Sequence, residues 1–346
     1  MTDVLSLRLP DGRTAIDALM APLEKAGTAP VVVDVGARNG MFLLPAPYAA
    51  KAELVGFEAN ALEHSKLVEG NTDATRLGFK GVKFARETYH NCAIWDADET
   101  RTFYVTAGAG ACTMMGETTE SVTRRFFQDY GAADPRTGKS FHELHGKVVR
   151  TEPVECRRLD SLLDPTATVD YLKLDIEGGE LRALKGAGAL LDARRVLFVY
   201  TEFVAMPYYA EHPVLGDQHA FLRDKGFRLI ALELGHSGYM RAPSPIPADN
   251  DRRLLHAGDA VFALDPDSVD MTALDRHRLG LIGFATGFHS FGVALMREAG
   301  LCNEAALRAL ESALSQVSRL RRLRKFWQDV PRRADALLTR LGLRGG

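Results

Sequence analysis

Pro30 opens a run, Val31-Val32-Val33-Asp34-Val35, that is β-branched and apolar on both alternating faces and is closed by Gly36. A strand half exposed to water would alternate apolar with polar residues, so this one reads as buried on both faces. That demands a parallel sheet covered by helices. Similar short apolar runs recur at Glu53–Phe57, Val82–Ala85, Val169–Ile176, Arg195–Thr201, Phe227–Leu232 and Ala260–Leu264. Helical stretches fit between several of them, at Ala61–Leu77, Glu180–Leu191 and Gln218–Lys225. Strands alternating with helices predict a doubly wound α/β sheet. An amphipathic helix over residues 12–26, with Ile16, Leu19, Met20 and Leu23 at helical spacing, precedes the first strand and ends at Gly27 as its C-cap.

The alternation is interrupted after the third strand. Ala93–Val105 reads as a hairpin turning at Asp96-Ala97-Asp98-Glu99, and Val148–Cys156 returns as a strand. Between them, residues 107–147 form a Gly-, Thr- and charge-rich insertion, with a helix expected at Glu117–Tyr130 and a turn at Asp134-Pro135-Arg136-Thr137-Gly138. An excursion of this length at a sheet rim serves either as a lid or substrate wall or as a surface ornament.

With 46% hydrophobic and 25% charged residues in 346, the chain has the balance of a folded protein rather than a disordered one. Cys92, Cys112, Cys156 and Cys302 lie far apart, with no C-x-x-C pair and no His at zinc-ligand spacing, which argues against a disulfide scaffold and a structural zinc site. Residues 1–15 carry Asp3, Arg8, Asp11 and Arg13 and no apolar stretch, so a cytoplasmic location is expected, with the inner membrane face as a peripheral contact. Leu279–Met296 has no formally charged residue, but its four glycines with Thr286, His289 and Ser290 make a poor membrane span at the short limit of about 18 residues. A buried helix, or one forming a homodimer through 279–296, is expected instead. Residues 301–346 carry net charge +6 and leave 1–300 at −8. Their basic amphipathic stretch, Arg319–Trp327, is followed by Pro331 and a last short helix toward Leu341. It suits docking on the acidic body or a partner subunit, or an anionic membrane surface. Nucleic acid is disfavoured, since no aromatic-interleaved module accompanies the charge. The expected division is an N-terminal helix at 1–29, a catalytic domain at 30–268 with the 107–147 insertion, and a helical basic extension at 269–346.

Three motifs carry chemistry. Asp34-Val35-Gly36-Ala37-Arg38-Asn39-Gly40 ends the first strand in a glycine turn, where backbone passes close to a ligand and N–H groups face it. It completes neither G-x-G-x-x-G nor Gly-Lys-Ser/Thr, so a dinucleotide or phosphate loop is not indicated. Glu58 follows the Val55-Gly56-Phe57 strand about 20 residues on, where a carboxylate accepts hydrogen bonds from a ribose diol. Asp170-Tyr171-Leu172-Lys173-Leu174-Asp175-Ile176-Glu177-Gly178-Gly179-Glu180 delivers Asp175 and Glu177 to a strand's carboxyl end before a helix that starts near Glu180 and is capped at Gly186 or Gly188. The helix dipole accounts for Glu177 and Glu180. It does not account for Asp175, which sits where open α/β sheets bind ligands.

Together, Asp34-Val35-Gly36-Ala37-x-x-Gly40 and Lys173-Leu174-Asp175-Ile176-Glu177-Gly178-x-Glu180-x-x-x-Leu184-Lys185-Gly186-Ala187 resemble the FkbM family of S-adenosylmethionine-dependent methyltransferases. Gly56–Asn60, Asn91–Asp96, Leu159–Leu162, Thr201–Phe203, Phe221-Leu222-x-x-x-Gly226-Phe227 and Asp259–Phe262 follow in the family's order, so the resemblance covers roughly 30–265. It implies a class I methyltransferase fold: a Rossmann-like, mostly parallel sheet of seven strands with the last antiparallel, here carrying a C-terminal helical extension. It also implies O-methylation of a sugar hydroxyl in polysaccharide, glycolipid or glycosylated natural-product assembly. By the resemblance, Asp34, Gly36, Asn39 and Gly40 cradle the methionine end of S-adenosylmethionine. Glu58, with Asn60 beside it, holds the ribose, and Asn91 to Ala93 line the adenine. Arg38 departs from the small residue usual in such a loop, and its side chain either points away or meets the cofactor carboxylate.

A sugar hydroxyl is a weak nucleophile that a general base or a metal would activate. Asp175 is the first candidate for the catalytic base, with Glu177 and Glu202 the next carboxylates expected at the same rim, and the same three could hold Mg²⁺. His90 and His212 are alternative bases. A nucleotide-sugar or NAD-dependent enzyme, and a non-catalytic cofactor-binding module of a glycan-assembly complex, are the competing readings.

Overall fold

The computed structural model describes residues 4–9, 11–79, 81–119, 138–139, 142–234, 239–240 and 254–315. Helix α1 (Ala15–Lys25), capped by Thr14 accepting the Asp17 N–H, precedes strand β1 (Val31–Val35), and Gly27 takes the left-handed conformation between them. There follow α2 (Ala46–Ala49), β2 (Glu53–Phe57), α3 (Ala61–Val68), α4 (Asp73–Arg76) and β3 (Arg86–His90). Next come β4 (Ala93–Ile94), β5 (Glu99–Thr106), β6 (Val148–Arg157), α5 (Leu159–Leu162) and β7 (Tyr171–Leu174). Helices α6 (Glu180–Gly186) and α7 (Gly188–Asp192) lead to β8 (Phe198–Val204), α8 (Leu215–Asp224) and β9 (Phe227–Glu233). After the short strands β10 (Tyr239–Met240) and β11 (Leu254–Leu255), strand β12 (Ala257–Leu264) completes the sheet, and α9 (Ala273–Ala285) and α10 (His289–Ala299) pack beneath it.

The seven-stranded sheet has the order β3-β2-β1-β7-β8-β12-β9. Every pair is parallel except those of β12, which runs antiparallel to both β8 and β9. This is the expected Rossmann-like architecture with its final strand reversed. The chain winds outward from β1 through β2 and β3, then returns to lay β7 on the other side of β1, so the sheet switches direction between β1 and β7. A crevice for ligand forms outside the carboxyl ends of the strands at such a point.

The departures from sequence expectation have local causes. Val82–Ala85 is not a strand: Ala85 N–H donates to the carbonyls of Ala49 and Ala52. The third strand lies at Arg86–His90, a sheet edge whose mostly exposed polar residues gave no apolar signal. The helix expected over Ala61–Leu77 breaks at Gly70, which has φ +69°, and Thr72 caps a new helix with its hydroxyl on the Thr75 N–H. The helix expected over Glu180–Leu191 divides at Ala187. Strands β4 and β5 are not a hairpin; they flank β6, in a second sheet of order β4-β6-β5 with Phe103, Val105, Val154 and Cys156 beneath it.

The helix expected over Leu279–Met296 is a helical hairpin that turns at Gly287, φ +97°. Gly280 and Gly292 face each other so closely that a Cβ on either would overlap the other's carbonyl oxygen. The small residues thus serve contact between two helices of one chain. Leu279, Ile282, Phe284, Met296, Leu307 and Leu310 join the main core, so the residues up to 310 are structurally part of the body. Arg278 pins this hairpin from below. It makes a bidentate pair with buried Asp170 at 3.0 and 2.8 Å, while Asp170 also accepts the Val31 N–H at 2.7 Å. No helix among the described residues is long and apolar enough to cross a membrane. Most of the helix expected at Glu117–Tyr130 and of the turn at 134–138, the basic stretch Arg319–Trp327 and the last helix toward Leu341 lie outside the described residues.

Candidate active site

At the switch point Gly36 has φ +86°, and a Cβ there would overlap the carbonyl oxygen of Asp175. Only glycine lets the ends of β1 and β7 meet. Gly40, φ +81°, tightens the same turn by donating its N–H to the Ala37 carbonyl at 2.7 Å. Above them lies a cavity of about 560 Å³, within the usual size range of small-molecule sites. Gly36, Asn39 and Gly40 line it from the β1 turn, Glu58 from the end of β2, Ala93 from β4, and Lys173, Asp175 and Glu177 from the end of β7.

Glu58 is 7% exposed. One of its oxygens accepts the Asn60 N–H at 2.8 Å, and burial pushes its carboxyl up to about 7. A carboxylate kept dry and half satisfied is suited to two hydroxyl donors. Asn60 itself is buried and caps α3, accepting the Leu62 and Glu63 N–H groups. Asn91 donates to the carbonyls of Glu58 and Ala59, and so holds the end of β2. Asp34 is buried against the Lys173 ammonium at 3.1 Å, and burial raises its carboxyl. Asp34, Asn60 and Asn91 are absent from the cavity wall; each fixes backbone or charge behind it. Asn39 lines the cavity while its side chain accepts the Ala74 N–H at 3.3 Å. Arg38, also on the wall, spends its guanidinium on Glu63 at 3.1 Å and Asp73 at 2.9 Å.

The three expected catalytic carboxylates converge: single oxygens of Asp175, Glu177 and Glu202 lie within 4.8 Å of one another. Asp175, the most exposed, pairs with Lys173 at 3.3 Å. Glu177 has φ +58°, a left-handed conformation uncommon for a residue with a side chain. Two clamps hold it there. The Thr113 hydroxyl donates to its carbonyl at 2.7 Å, and the buried Glu180 carboxylate accepts the N–H groups of Ile176 at 2.9 Å and Gly178 at 3.1 Å. Gly178, φ +105°, packs so tightly on His212, Met115 and Tyr209 that a Cβ would collide with them. Burial, with repulsion from Asp175, pushes the Glu177 carboxyl up to about 8. Burial and then Glu177 push Glu202 higher still. Neither the Glu177 nor the Glu202 side chain meets a hydrogen-bond donor or cation among the described residues.

Past Glu177 the crevice continues into a second cavity of about 330 Å³, lined by Glu202, Thr113, Tyr208, Tyr209 and His256 and sharing Gly110, Glu177 and Asp259 with the first. The Tyr208 hydroxyl meets the His256 ring, and burial pushes that imidazole down to about 4, leaving it neutral near pH 7. His90 is exposed and stacks on Phe57; His212 accepts the Tyr208 N–H at 3.1 Å and props the Gly178 turn. Neither histidine lines either cavity. Sequence reasoning did not single out Thr113, Tyr208, His256 or Asp259. Only for Asp259, opposite Glu202 in the β8–β12 register, did a quoted motif offer a signal.

Residues 34–229 match the family model described as the methyltransferase FkbM domain, more than half of the chain. No significant match is found among curated protein sequences. Solved structures with some likeness include the magnesium protoporphyrin IX methyltransferase of Synechocystis PCC 6803 with bound SAM, 14% identical over 72% of this chain and 77% of that one, at a TM-score of 0.30. A Pyrococcus horikoshii protein assigned as an RNA methyltransferase is 12% identical over 75% and 88%, at 0.26. A Streptococcus pneumoniae protein assigned as a tRNA (m1A22) methyltransferase is 11% identical over 82% and 92%, at 0.27.

Proposed function

This chain belongs to the FkbM methyltransferase family, and on that premise we propose that it is an S-adenosylmethionine-dependent O-methyltransferase whose acceptor is a sugar hydroxyl. The observation that carries this reading is the pair of contiguous cavities joined at a carboxylate, Glu177. The larger suits the cofactor: a glycine turn for its methionine end, buried Glu58 for the ribose diol, and Ala93 with Ile94 for the adenine. An NAD site fits less well, because Gly36-x-x-x-Gly40 lacks the third glycine of a dinucleotide loop.

When bound, S-adenosylmethionine supplies an electrophilic methyl group on a sulfonium. The protein's part is to hold the acceptor oxygen in line with that methyl group, keep out water, and take the hydroxyl proton. Glu177 lines both cavities and is favoured as the base; with its carboxyl raised to about 8, its ionised form takes up the hydroxyl proton strongly, and turnover should rise with pH as that form fills. Asp175, ion-paired to Lys173, sets the charge around it. The Asp175–Glu177–Glu202 cluster also suits a hard cation such as Mg²⁺, which supports a metal-assisted variant of the same reaction.

Calorimetry with S-adenosylmethionine and with NAD tests the cofactor: binding of the first alone is expected, and binding of NAD alone rejects the reading. Transfer of labelled methyl to sugar acceptors then tests the chemistry. Glu177→Gln should lower turnover by about 10²–10⁴-fold, and Asp175→Ala should remove it while cofactor binding largely persists. Turnover unchanged in both variants refutes the assignment, and loss of turnover in EDTA restored by Mg²⁺ selects the metal-assisted form.

A further inference from the structure

The smaller cavity gathers carboxyl groups that no Lys or Arg of its described wall neutralises. Glu202 on β8 and Asp259 on β12 are direct register partners in an antiparallel pair, so their side chains leave the sheet on one face, about 5 Å apart at Cβ. Ionised together they would repel, and burial above all raises both carboxyls in the empty cavity. Glu177 faces the same space from the β7–α6 turn, and none of the described residues lining it is Lys or Arg. Cations around the crevice are committed elsewhere: Lys173 to Asp34 and Asp175, Arg38 to Glu63 and Asp73, and Arg182 to Asp96. Asp259 has the Tyr200 hydroxyl as a partner, but the Glu202 carboxylate has no partner among the described residues. The opposite wall is aromatic. Tyr208 and His256 lie 5.0 Å apart ring to ring, and Tyr209 adjoins them.

We propose that this cavity is the acceptor site and that the acceptor is an amino sugar, its reacting hydroxyl at Glu177 and its ammonium between Glu202 and Asp259. The inference rests on the methyltransferase reading above and adds the charge class of the substrate. An ammonium supplies the N–H donors that the Glu202 carboxyl lacks and the positive charge against which these raised carboxyls can ionise. The Tyr208 ring offers a flat apolar face to the C–H side of a sugar ring. A uronic acid or sugar phosphate would set like charges together in a confined space, which interfaces use to reject wrong partners.

The full chain saturated with S-adenosylhomocysteine, with EDTA present throughout, is titrated calorimetrically with methyl glucosaminide, methyl glucoside, methyl N-acetylglucosaminide and methyl glucuronide. The glucosaminide should bind about tenfold or more tightly than the glucoside, as a charge-assisted hydrogen bond gives. The N-acetyl sugar, which has lost the charge, should bind no better than the glucoside, and the glucuronide should not bind. Glu202→Gln should bring the glucosaminide to the affinity of the glucoside, with S-adenosylhomocysteine affinity in the same titration reporting that the variant is folded. Equal or tighter binding of the glucoside, the N-acetyl sugar or the glucuronide overturns the proposal, as does absence of glucosaminide binding. Failure to bind S-adenosylhomocysteine at all rejects the methyltransferase reading and this one with it; binding it without a preference for the amine rejects this one alone.

Discussion

Replacing Glu58 by Gln should make the empty protein more stable and the cofactor complex weaker. In the folded chain the Glu58 carboxyl is pushed from its ordinary 4.5 up to about 7 by burial. Below pH 4.5 both folded and unfolded chains hold its proton, and the group has no effect on stability. Between 4.5 and 7 the unfolded chain ionises while the folded one stays protonated, so stability falls as pH rises; above 7 the penalty is complete. At about 1.4 kcal/mol per tenfold, it amounts to about 3 kcal/mol. Gln removes the penalty and keeps the Asn60 hydrogen bond, because its amide oxygen accepts the same N–H. Urea unfolding should therefore show Glu58→Gln more stable by up to about 3 kcal/mol at pH 8 and nearly unchanged at pH 4.5. Glu177 and Glu180 titrate in both proteins, so the difference between the two isolates Glu58. Cofactor binding should move the other way. Hydrogen bonds to a charged group contribute about 1.5–3 kcal/mol each, so losing the charge should weaken S-adenosylmethionine by about 10²-fold at pH 8. Unmutated protein should itself bind about tenfold more weakly at pH 6 than at pH 8. A variant less stable than the parent at pH 8, or one that binds the cofactor equally well, refutes the reasoning.

Gly36→Ala combines a left-handed backbone, costing about 1–2 kcal/mol, with a Cβ driven into the Asp175 carbonyl; thermal unfolding should fall by several degrees and calorimetry should show cofactor binding lost. Asp170→Ala leaves the buried Arg278 guanidinium without its carboxylate, and denaturant unfolding should register a loss of about 3–5 kcal/mol. A chain ending at 315 should keep the cooperative thermal unfolding of the full protein, whereas one ending at Asp270 should not fold, because it strips Leu279, Ile282, Phe284, Leu307 and Leu310 from the core. Flotation of the full chain, but not of the 1–315 chain, with anionic liposomes is the outcome expected of a membrane-binding tail.

What the sequence revealed followed burial. Strands β1 and β2 match their apolar runs residue for residue, because a strand covered on both faces must be continuous in Val, Leu and Phe. Edge strand β3, Arg-Glu-Thr-Tyr-His, has no such obligation and went unseen. The helix after β7 ends where a glycine marked it, at Gly186, and the reason is tertiary: a Cβ there would strike the Trp95 carbonyl. In the site, Asp175, Glu177 and Glu202 were legible because strand ends deliver side chains to a known rim. Asn60 and Asn91 stand behind the cavity wall and each turns its amide to backbone, a choice that depends on which N–H or C=O is left unpaired nearby. Asp259, 57 residues beyond Glu202, becomes its neighbour only through the antiparallel register of β12.

The insertion after β5 left two readings open in the sequence, wall or ornament, and several of its described residues stand in a cavity wall. Gly110, Ala111, Thr113, Gly116 and Thr118 line the smaller cavity, and Gly110 lines the larger as well. Thr113 does more than border the space. Glu177 occupies a backbone conformation that costs energy, and such a residue stays in place only when its surroundings over-determine it. Glu180 fixes the turn from the helix side, and the Thr113 hydroxyl fixes it from the insertion. The carboxylate at the junction of the two cavities is therefore aimed by a segment that belongs to neither β7 nor its helix. A change in the insertion that moves Thr113 alters both the shape of the smaller cavity and the direction of Glu177, so on the function proposed above acceptor fit and proton acceptance would be coupled through one hydrogen bond.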